Sequence, residues 1–378
     1  MVKYTSKRFK TALNVLKYPD SWFWCRYTLN PYQGCEHACI YCDARSSRYY
    51  VDDFENEVII KKDINKILER KLKNTRTLLP DVIGPGGVCD AYQPIEEKAE
   101  NTLSLLKIIQ KYKYPVNIAT KNTLILRDLD LLNEIGRDTW CTVGFSLTTS
   151  DDELANSLEP YSSAPSERFH AIKEIKSRAP QIQVGTYVIP IIPYLTDDPQ
   201  NLEDIVRKTK EAAGDFILFS PGLTLRDAQK EYFLKKLEQS PYKNIIDPLL
   251  ELFGENIYPS GAYAQKIHHL LKNLCRKYDL AWREKRWIPR DYRKWNYKIA
   301  EFLLNTEYEN MLETGKSDNT MKWAGLTLNN FEESIINIYK RGKLHKKKNF
   351  TKRIIQLIEP MIKNSEEYSQ KKGLDRFL

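Results

Sequence analysis

Residues 30–45 read NPYQGCEHACIYCDAR, and three of the chain's seven cysteines fall inside them. Cys35, Cys39 and Cys42 are spaced C-x3-C-x2-C, with Tyr41 directly before the last. Three soft thiolate ligands in one short loop point to a metal centre. The other four cysteines, Cys25, Cys89, Cys141 and Cys275, are scattered singly. A structural zinc site wants four closed ligands, usually presented as two pairs. His37 could complete a Cys3His set, but it stands two residues from both Cys35 and Cys39, which makes joint tetrahedral ligation awkward. Three thiolates can instead hold three irons of a [4Fe-4S] cubane and leave the fourth iron open.

The rest of the composition is compatible with such a centre. The chain has 378 residues, 42% hydrophobic and 29% charged, with a formal net charge of +9. An odd cysteine count with three clustered argues against a disulfide framework. No run approaches the ~18 apolar residues of a membrane span, and MVKYTSKRFK lacks the apolar core of a signal peptide. The expectation is a cytoplasmic protein with no membrane association, whose thiols are free for metal. The positive charge suits a polyanion such as nucleic acid, although a lysine-rich proteome would give the same balance.

Beyond the loop, short apolar runs alternate with amphipathic stretches. GPGGVCDAY ends a short apolar piece; PVNIATK, TWCTVGFSLTT, IQVGTYVIPIIP and DFILFSPG read as strands. KAENTLSLLKIIQKY, DLDLLNEIG, SERFHAIKEIKSR and NLEDIVRKTKEAA read as the helices between them. Strand and helix recur at roughly 30 to 45 residues per unit, which predicts a parallel sheet wound as βα units. Ligands bind beyond the C-terminal strand ends of such sheets, so Asp90, Lys121, Ser146 and Pro190 become candidates. After about residue 240 the strand rhythm fades into helical patterns. The predicted organisation is an N-terminal extension (1–29), an α/β barrel domain (30–240) and a helical C-terminal region or cap (241–378).

Several blocks together resemble the radical SAM superfamily, and within it the spore photoproduct lyase-like branch. NPYQGCEHACIYCDAR resembles that branch's N-P-Y-x-G-C-x-H-x-C-x-Y-C-x-A-R loop, and CDAYQPIE its D-x-Y-Q-P-x-E block. ATKNTLILRDLDLL, FSLTTSDDELANSLEPYSSAPSERFHAI and VIPIIPYLTD resemble three further blocks in the branch's order. The likeness spans roughly residues 22 to 225 and leaves the helical third unexplained.

The resemblance implies a partial (β/α)6 barrel with a [4Fe-4S] cluster on Cys35, Cys39 and Cys42 and S-adenosylmethionine (SAM) on the open iron. It implies that the backbone of Tyr41 and of Ile189 lines the adenine. Lys121 would approach the SAM carboxylate, Ser146 the ribose or carboxylate, and Asp90 the methionine amine, while Glu159 and Arg168 complete a polar shell. His37 would be a neighbouring or surface group, and Arg127, Asp128 and Asp130 would cap and anchor the following helix. The branch's lyase uses a cysteine shortly before the acidic strand-end residue to return hydrogen to its product radical. Cys89 stands two positions nearer the acid, a shift that keeps a strand residue on the same face; a buried small hydrophobe is the other reading.

The expected activity is radical hydrogen abstraction from a nucleic-acid substrate, DNA favoured over RNA, as in lesion repair. The alternatives are the same chemistry on RNA or a protein side chain, or a non-catalytic metal-binding nucleic-acid module. An electron donor such as ferredoxin or flavodoxin would be a partner. Two C-terminal stretches, WREKRWIPRDYRKW and RGKLHKKKNFTKR, mix cations with aromatics or lack acids, as a nucleic-acid surface would. A solvated charged face over a helical core would read the same way.

Overall fold

The computed structural model describes residues 2–49, 53–54, 56–73, 78–220 and 222–368. They divide into two compact units, one of residues 1–15 and 25–285, the other of residues 16–24 and 286–378.

In the first unit a three-residue strand, β3 (Tyr27–Leu29), leads directly into the cysteine loop. Parallel to it, in spatial order, lie β6 (Ile83–Pro85), β7 (Val116–Thr120), β8 (Cys141–Ser146), β9 (Gln183–Val188) and β10 (Phe216–Phe219). Six parallel strands make the sheet of a partial (β/α)6 barrel, as the alternation predicts. β2 (Asn14–Val15) runs antiparallel along the outer edge of β3. A second sheet of three strands, β1 (Lys3–Arg8), β5 (Glu57–Lys62) and β4 (Tyr32–Gln33), brackets the cysteine loop.

Helices cover the parallel sheet because their apolar residues fall on one stripe. α1 (Ile64–Lys73), α2 (Glu96–Ala99) and α3 (Asn101–Lys111) precede β7, and α4 (Leu129–Asp138) precedes β8. α5 (Asp152–Leu158) and α6 (Pro165–Arg178) lead to β9. α7 (Pro199–Glu211) shows the local logic: Asp198 accepts from the amides of Gln200 and Asn201 at 3.0 and 3.1 Å, and Pro199 opens the first turn. The helix then buries Leu202, Ile205, Val206 and Thr209, at the spacing of one helical face. All six residues of β9 are buried, as a strand covered on both faces requires.

The units divide the chain differently from the expected boundaries of 1–29, 30–240 and 241–378. The N-terminal stretch supplies β1, β2 and the first barrel strand, β3. Residues 241–285 also belong to the first unit. α8 (Asp227–Glu238) and α9 (Ile246–Phe253) bury Phe233, Leu237, Leu249 and Phe253 against Cys39, Ile40 and Tyr41. α10 (Gly261–Lys277) adds Ile267, Leu271, Leu274 and Cys275 to the main core. Helical periodicity reports that a face is buried, not which core buries it.

The second unit packs α11 (Lys294–Thr314), α12 (Asn319–Leu328), α13 (Ile335–Lys340) and α14 (Lys352–Lys363) around Ile299, Leu303, Ala324, Leu328, Ile354 and Ile358. Much of WREKRWIPRDYRKW turns inward, contrary to its reading as a nucleic-acid surface. Arg286 is buried, donates to Asn329 Oδ1 at 2.5 Å and lies 3.9 Å over the Tyr297 ring. Arg293 is buried and pairs with Asp291 at 2.6 Å, and Trp295 belongs to the helical core. No helix among the described residues is long and apolar enough to cross a membrane.

Candidate functional site

The cysteine loop has almost no regular structure, so its shape comes from groups around it. Gly34 has φ +82°, and a Cβ there would stand 2.3 Å from Glu57 O, so only glycine fits the approach of β5. Gln93, fully buried, donates to Gly34 O at 3.2 Å and accepts from the Glu36 amide at 3.0 Å. Glu36 in turn accepts from the Ile95 amide at 2.6 Å. The Ile40 amide donates to Leu158 O at 3.0 Å. Arg45 donates to Cys39 O at 3.0 Å and Ala38 O at 3.2 Å, with the Tyr232 ring of α8 3.7 Å from its guanidinium.

Inside this frame Cys35 and Cys39 are buried and Cys42 is nearly so. Burial pushes all three thiols up, Cys39 to about 12. They stay protonated until a metal displaces the protons. Among the described residues no three His, Cys, Asp or Glu groups converge on one ion, whereas a cubane gives each thiolate its own iron. The donor set therefore fits a cluster better than a single zinc ion. Against the same loop lies a cleft of about 510 Å³, lined by Glu36, Ala38, Ile40, Pro160, Tyr161 and Lys236 among others.

Asp90, just beyond β6, joins the loop to the barrel. Its carboxylate accepts from Thr120 Oγ1 at 2.8 Å, the Tyr92 amide at 2.8 Å and the Lys121 amide at 2.7 Å. His37 Nδ1 stands 3.4 Å from the other side of the same carboxylate. Burial alone would raise the Asp90 carboxyl, but His37 and these amides outweigh it and hold it down to about 2. His37 is 1% exposed, so it is an interior group and not a surface one.

Lys121 follows β7, and its Nζ lies 5.9 Å from the centroid of the Tyr41 ring. The Nζ itself makes no hydrogen bond or ion pair among the described residues. Burial disfavours its charge, yet Cys39 and Glu159 nearby keep its pKa above the ordinary lysine value. Ser146 ends β8 with its carbonyl accepting from Arg168 Nη1 at 2.6 Å. Ile189 follows β9 and precedes a cis proline, Pro190.

Glu159 and Arg168 are both buried and pair at 2.5 Å. Glu159 also accepts from the Tyr41 and Ser162 hydroxyls, while Arg168 donates to Ser163 O at 2.7 Å and Ser162 Oγ at 2.6 Å. Burial would raise Glu159, but Arg168 and Lys121 hold its pKa below the usual value. Asp90, Glu159 and Arg168, expected near the methionine amine and in the polar shell, each also bond several protein groups. Cys89 is buried beside Phe54, Val58 and Ile95, and its thiol donates to Tyr32 O at 3.4 Å. Asp128 makes no side-chain cap; it binds Arg127 at 2.7 Å and the Tyr92 hydroxyl at 3.2 Å, while Asp130 is exposed. Arg45 and Gln93 were not among the predicted site residues, although each lies inside a quoted motif block.

A parallel half-barrel with two buried thiols and a partly buried third in the loop after its first strand has the donor set of an iron–sulfur α/β enzyme. The model of the radical SAM superfamily matches residues 29–209. An uncharacterised protein of Mycobacterium tuberculosis is 29% identical over 261 residues, 68% of this chain and 75% of its own length. Another, of Methanocaldococcus jannaschii, is 30% identical over 203 residues, 53% of this chain and 71% of its own. Spore photoproduct lyase complexed with dinucleoside spore photoproduct superposes with a TM-score of 0.53 at 15% identity, covering 73% of this chain and 79% of the other. A mutant of that lyase with bound AdoMet and the dinucleoside superposes at 0.51 and 14% identity, covering 67% and 74%. At these identities the likeness to the lyase is one of fold. The chain belongs to the radical SAM superfamily, whose cofactors are a [4Fe-4S] cluster and SAM.

Proposed function

We propose that the enzyme abstracts hydrogen from a nucleic-acid substrate, with damaged DNA as the first candidate and a lyase-type repair as the outcome. The observation that carries the radical chemistry is the largely buried three-thiol loop beside a lysine whose Nζ makes no hydrogen bond or ion pair among the described residues. Support for the substrate class is the fold shared with spore photoproduct lyase and the positive net charge.

In this reading Cys35, Cys39 and Cys42 hold the cluster. When bound, the cluster supplies the electron that cleaves SAM to a 5'-deoxyadenosyl radical. Lys121 binds the SAM carboxylate as a compact cation with no competing anion in direct contact. The Ser146 hydroxyl and the main chain at Tyr41 and Ile189 line the nucleoside. Asp90, Glu159 and Arg168 act as positioning residues: Asp90 fixes His37 and the Lys121 backbone, and the Glu159–Arg168 pair fixes Tyr41 and Ser146. Hydrogen return by Cys89 would require its thiol to leave Tyr32 O. An acidic one-electron carrier such as ferredoxin or flavodoxin would reduce the cluster.

The test is anaerobic purification followed by turnover with dithionite and deuterated candidate substrates, damaged DNA first. Deuterium in 5'-deoxyadenosine from DNA is the expected result. Transfer only from RNA or protein would move the substrate class, and a colourless zinc-loaded protein would sink the enzyme reading.

A further inference from the structure

The second unit carries a strongly cationic surface of its own. Lys343, Lys346, Lys347 and Lys348, between α13 and α14, and Lys352, which opens α14, are all exposed. None of the five makes an ion pair among the described residues. Glu333 pairs with Arg341, and Asp318 pairs with Arg353 at 2.5 Å; Glu333 also feels the charges of Lys343 and Lys347 without an ion pair to either. The turn that presents the lysines is fixed. Leu344 and Phe350 are buried, Phe350 packs 5.5 Å from Phe331, and Thr351 caps α14.

An aromatic patch continues from this turn. Lys347 Nζ sits 5.1 Å over the Phe331 ring. The neighbouring Asn330 donates to Lys17 O at 2.8 Å. Tyr18 then meets Trp323 edge-on at 6.1 Å. Trp323 is 45% exposed, and Lys322 beside it is exposed too. A half-exposed indole offers surface for stacking, and lysines without an ion pair can take phosphates.

We propose that this surface binds single-stranded DNA, the lysine turn holding phosphates and Trp323 stacking an unpaired base. The choice of DNA rests on the nucleic-acid reading of the catalytic site. A membrane surface fits less well, because the apolar residues of the turn, Leu344 and Phe350, are buried, which leaves Trp323 as the exposed large apolar side chain of this surface, too little for an inserting face. Duplex DNA offers no exposed base face for the indole.

Fluorescence anisotropy of the full-length protein with a short labelled single-stranded DNA, across a salt series, tests this. Binding is expected to weaken steeply with salt, by about 0.7 in the log–log slope per phosphate contacted. The triple variant Lys346→Glu, Lys347→Glu, Lys348→Glu is expected to lose at least about tenfold in affinity and to flatten that slope. Trp323→Ala is expected to lose roughly fivefold or more while keeping the slope. Unchanged binding in both variants, salt-independent binding, or tighter binding of matched RNA or of phosphatidylserine vesicles would each overturn the proposal. Deuterium transfer is scored in parallel. Variant-sensitive DNA binding without transfer from DNA keeps the surface and removes the substrate reading; transfer from DNA with variant-insensitive binding does the reverse.

Discussion

The Asp90 carboxylate accepts the backbone amide of Lys121 at 2.7 Å, so the end of β6 sets the start of the segment after β7. The same carboxylate meets His37 from the cysteine loop. One side chain thereby fixes the spacing between the thiols and the proposed SAM-binding lysine.

Replacing Lys121 should separate ligand binding from folding. Lys121→Met removes a cation whose Nζ bonds no protein group but whose charge helps hold Glu159 ionised, so the unfolding midpoint should fall less than in Arg168→Met. SAM affinity should fall by roughly 10- to 100-fold, the worth of a charge-assisted contact. Calorimetric titration of SAM into the iron-loaded protein measures it, and unchanged affinity would remove Lys121 from the site.

Arg168→Met should destabilise the fold more strongly. It strands the Glu159 carboxylate in the interior, a loss of about 3–5 kcal/mol, visible as a lowered thermal midpoint. The Glu159 carboxyl titrates below the 4.5 of an unperturbed glutamate. Its contribution is therefore present above that value and declines as the pH falls through and below it. Wild type should lose stability on acidification more steeply than Glu159→Gln; parallel slopes would contradict the pairing.

Gly34→Ala places a methyl 2.3 Å from Glu57 O on a left-handed backbone. The loop must shift, at a cost of about 1–3 kcal/mol. Iron and sulfide content after reconstitution should drop with it. Cys35→Ala, Cys39→Ala and Cys42→Ala should each abolish the cluster spectrum and 5'-deoxyadenosine release.

Cys89→Ala distinguishes a packed thiol from a hydrogen donor. With its thiol bonded to Tyr32 O, the expected result is an unchanged product and roughly 1–2 kcal/mol lost in stability. Radical by-products, detected by chromatography of the reaction, would instead support the donor role.

What the sequence discloses follows from length and periodicity. β7 to β10 are apolar runs of four to six residues between clear helical stretches, and they are legible. β3 has three residues and shows no period, so the first barrel strand was hidden in an apparent extension. The identities of Asp90, Glu159 and Arg168 come from motif blocks, but their protein hydrogen bonds depend on residues up to 118 positions away, as in Tyr41 with Glu159. Composition also cannot tell Arg286, stacked inside on Tyr297, from Lys346 in solvent.

The cysteine loop is held by Gln93, the Ile95 amide and the Leu158 carbonyl from outside and by its own Arg45, contacts that involve no metal. A cradle made this way outlasts its contents. Oxygen damage should therefore empty the enzyme without scrapping it, leaving a folded vessel that iron, sulfide and reductant can refill. Recovery of the iron–sulfur spectrum from bleached protein without denaturant would measure that durability, and a need to unfold and refold first would refute it.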